Sequence, residues 1–151
     1  MLLSRRKFAL NLPFREIVPF DAGQPFANDL QPVNHIDLSY LVDKNTGNRY
    51  IFVYELDGKV LAFMTFLDKR NHFHLDLVEV NRLYEESKTV RPGFLLITLL
   101  ENLSRREGFS KVTLHSVQDR IPYYYSLGYV AAGEPISDPV YGPLTPMEKS
   151  L

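Results

Sequence analysis

Residues 72–107 read HFHLDLVEVNRLYEESKTVRPGFLLITLLENLSRRE. The first nine residues alternate. Phe73, Leu75 and Leu77 fall on one face of an extended chain, and His74, Asp76, Val78 and Val80 on the other. A strand over 72–80 is therefore predicted. A polar connection follows over 81–90, with Glu85, Glu86 and Lys88. Beyond it Leu96, Leu99, Leu100 and Leu103 recur at helical spacing, which predicts a helix over 93–107. Pro92 suits a helix start, where its missing N–H has no helical partner. Arg105 and Arg106 suit the negative end of the helix dipole, and Gly108 suits the cap.

Working outward, residues 50–55 and 59–66 are rich in aromatic and β-branched side chains and read as strands. Asp57-Gly58 between them is a hairpin-turn dipeptide, so this pair is expected to be antiparallel. Residues 111–117 form a further strand. Its place after a helix predicts a change from antiparallel to parallel pairing. A short helix over 121–127, with Pro122 in its first turn, stops at Gly128. Residues 129–132 read as a strand. Residues 133–146 hold Pro135, Pro139, Pro143 and Pro146 and read as a loop before a last strand near Met147. In the first 48 residues a strand is expected over 14–20, a short helix within 29–41 limited by Pro32, and a loop over 43–48.

A chain of 151 residues is expected to form one domain, 1–151, with a core of its own. The net charge of -1 gives no basic excess for nucleic acid. The run Ser4-Arg5-Arg6-Lys7 reads as a solvated terminus. The chain has no cysteine, so a disulfide, a thiolate metal site and a cysteine nucleophile are excluded. The longest apolar block, 94–100, contains Thr98 and falls short of a membrane span. Asn11, Pro13 and Arg15 break the pattern of a signal peptide. A cytoplasmic protein with no membrane partner is the expectation.

A helix N-terminus exposes backbone N–H groups and partial positive charge, so the loop entering the 93–107 helix could wrap a phosphate. Gly93 would permit close approach, and Lys88 and Arg91 would add charge. Alone, these residues read first as a cap glycine beside two solvated cations. The order of elements is more specific. A hairpin, a third strand, a phosphate-like loop, a long helix, a strand, and a tyrosine-bearing helix ending in Gly-Tyr together resemble the GNAT acetyltransferase family over residues 50–129.

In that family the third strand ends in a hydrophobic-x-Val pattern, here Val78-Glu79-Val80. The pyrophosphate loop reads Arg/Gln-x-x-Gly-x-Gly/Ala, a slot held here by Lys88-Thr89-Val90-Arg91-Pro92-Gly93. Only the last glycine is kept. Lys88 replaces Arg or Gln, Arg91 stands where glycine is usual, Pro92 removes a donor, and the approach from Val80 is a few residues longer. The later Tyr-x-x-x-Gly-Phe pattern is matched by Tyr124, Gly128 and Tyr129. Val117 and Arg120 hold the places of its usual Asn and Ala. Met147-Glu148-Lys149 resembles the Met-x-Lys ending of the last strand.

The resemblance implies an α+β fold, GNAT-like, with a mixed, mostly antiparallel sheet flanked by helices. It implies acetyl-CoA as co-substrate and an amine that attacks the thioester directly. Cofactor contacts then fall to Val78, Val80, Lys88, Arg91, Gly93 and Phe94, with backbone N–H groups near Val78 and Val80 polarising the acetyl carbonyl. Tyr124 takes the place of the donor to the departing thiolate, and one of the three adjacent tyrosines is expected only to pack. For the base, Asp76 and Glu79 lie on opposite faces of one strand, and a bulge would change the facing of Glu79. Glu79 and His115 are the candidates. His72 and His74 share a face without an evident third ligand, so no metal is expected. The alternatives are a GNAT-shaped module that binds coenzyme A without turnover, and an unrelated α+β interaction domain. A homodimer is left open. The acceptor would meet residues 26–45 and 133–146, where Phe26, Tyr40 and Tyr141 could line a pocket.

Overall fold

The computed structural model describes residues 4–28 and 37–151. Part of the helix expected within 29–41 lies outside the described residues; α1 is Ser39–Lys44 and so takes in the start of the segment expected as a loop. The strands are β1 (Phe14–Glu16), β2 (Arg49–Leu56), β3 (Lys59–Asp68), β4 (Phe73–Val80), β5 (Lys111–Val117), β6 (Val130–Ala131), β7 (Ile136–Asp138) and β8 (Gly142–Ser150). The remaining helices are α2 (Glu86–Val90), α3 (Pro92–Arg106) and α4 (Ile121–Ser126). The sheet runs β1-β2-β3-β4-β5-β8-β6, with β7 also on β8. Among the described residues, only β4 and β5 pair in parallel, and every other neighbour is antiparallel.

The β2–β3 hairpin turns at Asp57 and Gly58, both at positive φ, as its dipeptide requires. Two apolar layers cover the sheet. On one face α3 packs Leu96, Ile97, Leu100 and Leu103 against Phe52, Phe66, Phe73, Leu75, Val112 and Leu114. On the other, Phe26, Leu38 and Leu41 cover Ile51, Val53, Val60 and Phe63.

Strand β4 does not alternate as its sequence suggests. Thr65 of β3 lies opposite Leu77 and Phe66 opposite Leu75, so Asp76 is an extra residue in the ladder. This bulge reverses the facing of everything after it. Phe73 and Leu75 face α3, and so do Val78 and Val80; Leu77 turns to the opposite layer. Leu77 therefore does not share the face of Leu75, and Val78 and Val80 do not share that of His74. The Asp76 carboxylate is held by Nη1 of Arg49 at 2.6 Å and the Thr65 hydroxyl at 3.2 Å.

Three further expectations are corrected. The first strand ends at Glu16, because Pro19 opens a 3₁₀ turn over Pro19–Gly23. The polar connection contains the one-turn helix α2. The proline-rich loop is a hairpin, β7 with the start of β8. Pro146 is accepted inside β8 because the facing chain is interrupted between β6 and β7, and the Pro146 carbonyl takes the Ala132 N–H at 2.8 Å.

The basic N-terminus is not merely solvated. Arg5 lies 4.1 Å over the Tyr50 ring, and Nε of Arg6 meets Asp68 at 2.7 Å. These contacts strap Phe8 onto Tyr50, Phe52, Phe66 and Phe73, with ring centroids 5.1 to 6.0 Å apart. Phe8→Ala is expected to cost about 2–3 kcal/mol in equilibrium denaturation, since it empties an aromatic socket. Phe20→Ala, at an exposed ring, should change stability by less than about 0.5 kcal/mol.

Candidate active site

The parallel pairing of β4 with β5 ends at Leu75 and Leu114. Beyond that point β4 follows β3 to Val80, while β5 follows β8 to Val117. Among the described residues no further register joins the two strands, so they part as a V. Along its β4 side, the backbone of 77–80 has a ladder partner only in β3.

Helix α3 begins at the mouth of this V. A Cβ at Gly93 would stand 3.1 Å from Cγ2 of Val80 and 3.3 Å from Cγ1 of Val78. Both neighbours are β-branched and stiff, so a Cβ here would have to push them back by a few tenths of an ångström. The N–H groups of Gly93 and Phe94 belong to the unpaired first turn, and Pro92 contributes none. Arg91 precedes them in the left-handed region, at φ 56. That conformation favours glycine, which is the residue the GNAT pattern has there. The Arg91 guanidinium lies 5.0 Å over the Phe94 ring and its charge reaches Tyr123. Lys88 is exposed in α2, 3.5 Å from Glu85, a surface pair of the kind that is easily opened.

Helix α4 closes the other side. Its Tyr124 packs on the α3-side core, edge-on to Tyr123 at 5.3 Å and to Tyr129 at 5.9 Å. Burial, with smaller contributions from Tyr123 and Glu79, pushes the Tyr124 phenol up to about 12. Tyr124 is therefore neutral across the physiological range. Glu79 also acts on Tyr40 of α1, whose phenol is raised by burial first, then by Tyr141 and Glu79. The charge of Glu79 is the smallest of the influences named on both phenols.

His115 lies elsewhere. It is exposed on β5, opposite Pro146, with its ring 4.8 Å from that of His74. Nδ1 of His74 shares a 2.8 Å hydrogen bond with the Thr113 hydroxyl. Burial, then the neighbouring His115, pushes His74 down to about 4. This pair sits at the closed end of the V, beside the last parallel residues.

Two features escaped the sequence reading. Asp76 is the clamp of the bulge rather than a free carboxylate. Glu101 is a buried carboxylate that accepts hydrogen bonds from Tyr129 and Lys149. Its signal was present: Glu101 falls four residues after Ile97, on the apolar stripe of α3.

By sequence the chain matches no protein-family model and no curated protein. Its fold does match solved structures. Ard1 from Thermoplasma volcanium is 18% identical, with a TM-score of 0.70 over 91% of this chain and 96% of that one. A GCN5-related N-acetyltransferase from Rhodopseudomonas palustris is 19% identical, with a TM-score of 0.65 over 97% and 100%. A GNAT family acetyltransferase from Elizabethkingia anophelis, solved with acetyl-CoA bound, is 10% identical, with a TM-score of 0.61 over 91% and 97%. The chain has the GNAT acetyltransferase fold: a mixed α+β architecture with a mostly antiparallel sheet.

Two expectations follow from this geometry. Gly93→Ala should cost about 1–2 kcal/mol of stability by overpacking, read as a lower denaturation midpoint, and Gly23→Ala, where a Cβ meets nothing, should not. The neutral, half-buried His74 binds a proton more readily in the unfolded chain, so its contribution is present above about pH 6.5. It is lost as pH falls towards about 4. Replacing His74 by Gln should flatten the dependence of melting temperature on pH across that window.

Proposed function

We propose that the chain is a single acyltransferase domain over residues 1–151 that moves an acetyl group from acetyl-CoA to an amine. The observation that carries this reading is the V between β4 and β5, with the start of α3 held at its mouth by Gly93 against Val78 and Val80. An extended chain carrying an amide, such as the pantetheine arm, can pair with the side of β4 turned away from β3. The first N–H groups of α3, with Arg91 and Lys88, suit the pyrophosphate.

With acetyl-CoA in that place, the backbone N–H groups near Val78 and Val80 polarise the acetyl carbonyl. Glu79 faces away from α3, on the side of Tyr40 and Tyr141, and takes the proton from the incoming ammonium directly or through water. The neutral nitrogen attacks the carbonyl carbon and a C–N bond forms; the nitrogen sheds its second proton to solvent water, the C–S bond breaks, and coenzyme A leaves as the thiolate. Tyr124 donates a hydrogen bond to the departing sulfur. A phenol near pKa 12 holds its proton against a thiol of ordinary pKa about 8.5, so Tyr124 stabilises the thiolate without surrendering the proton fully. His115 stays outside this scheme, paired with His74.

The binding-only reading draws on two observations: Pro92 removes one donor from the first turn of α3, and Lys88 is engaged by Glu85. Calorimetric titration with acetyl-CoA, followed by thiol release across a panel of amines, separates the readings. One-to-one binding with amine-dependent release is expected, and Tyr124→Phe should lower kcat about 100-fold while leaving acetyl-CoA binding intact. Binding without release from any amine would favour the binding module. Absence of binding to the folded protein would sink both.

A further inference from the structure

Helix α3, strand β8 and the turn after α4 meet at one carboxylate. Glu101, on the buried face of α3, is 6% exposed. Its Oε2 accepts the Tyr129 hydroxyl at 2.9 Å and its Oε1 accepts Nζ of Lys149 at 3.0 Å. Lys149 comes from β8, and its stem runs past Gly128. A Cβ at Gly128 would lie 3.2 Å from Cε of Lys149, and φ +97 there also favours glycine. Tyr129 is fully buried, and its amide N–H donates to the Tyr124 carbonyl at 3.0 Å. Glu101 therefore reaches Tyr124 through a single residue.

An ion pair between a buried carboxylate and a half-buried lysine seldom adds much net stability, so stability alone is a weak reason for this one. What it supplies is geometry. Two donors from separate elements converge on one acceptor, which fixes α4 relative to α3 and β8.

We propose that Glu101, Lys149 and Tyr129 form a latch that positions Tyr124 at the V, with Glu101 as its positioning residue. The inference rests on reading Tyr124 as the thiolate's hydrogen-bond donor. Tyr129→Phe removes only the hydroxyl. It should lower kcat roughly fivefold to tenfold, with acetyl-CoA affinity unchanged. In a Tyr124→Phe background the same change should have no further effect on kcat, because the positioned group is gone. Equal losses in both backgrounds would overturn the latch.

A second arm does not depend on turnover. With 3-fluorotyrosine at position 124, the fluorine spectrum of the otherwise unaltered full chain should show one narrow resonance. Tyr129→Phe and Lys149→Met should each shift or broaden it, and a resonance unmoved by both variants would overturn the proposal. If the unaltered chain releases no thiol with any amine, the acyltransferase reading fails, and the fluorine spectrum alone decides the latch.

Discussion

A strand assigns its side chains to two faces by counting, and one inserted residue reverses the count for all that follow. In β4 that residue is Asp76, held by Arg49 of β2 and Thr65 of β3. Without the bulge, Val78 and Val80 would turn from α3, and Glu79 would turn into the α3 layer. With it, two valines meet the start of α3 while a carboxylate faces the side of Tyr40 and Tyr141. The bulge also falls where β4 parts from β5, just beyond Leu75. The gap between the strands and the facing of its walls thus arise in the same few residues.

The helix dipole adds the second constraint. An N-terminus is useful to an anion only if its first N–H groups are close and unobstructed. Gly93 brings α3 against the valines, and Arg91 accepts a left-handed conformation to turn the chain from α2 into α3. The chain thereby keeps the geometry of a glycine-rich turn with an arginine, and places that side chain beside Phe94 and Tyr123. On the far side of the V, α4 is too short to hold its own orientation. Its anchorage is tertiary: Tyr124 packs in the core, and Tyr129 is held by Glu101.

Much of this was legible in the chain. Asp57-Gly58 defined the hairpin, the leucine spacing defined α3, and the element order gave the parallel step from β4 to β5. Tyr124, Glu79, Gly93, Val78 and Val80 could be named as a set. Their mutual placement could not, because alternation in 72–80 is compatible with either facing and a bulge leaves no mark in composition. The N-terminal arginines were read as solvated because their partners, Tyr50, Asp68 and Glu107, lie more than forty positions away. The prolines of 133–146 suggested a loop because the interruption in the facing chain that tolerates Pro146 belongs to another segment.

The sequence by itself determined the elements and their order, since periodicity, turn dipeptides and capping are local and act within a few residues. Only the tertiary structure decided which face each candidate side chain takes, that His115 joins His74, and that Glu101 is a buried junction. Those outcomes depend on ladder register, on the divergence of two strands and on charges meeting across long separations in the chain. None of these is set until the layers have packed.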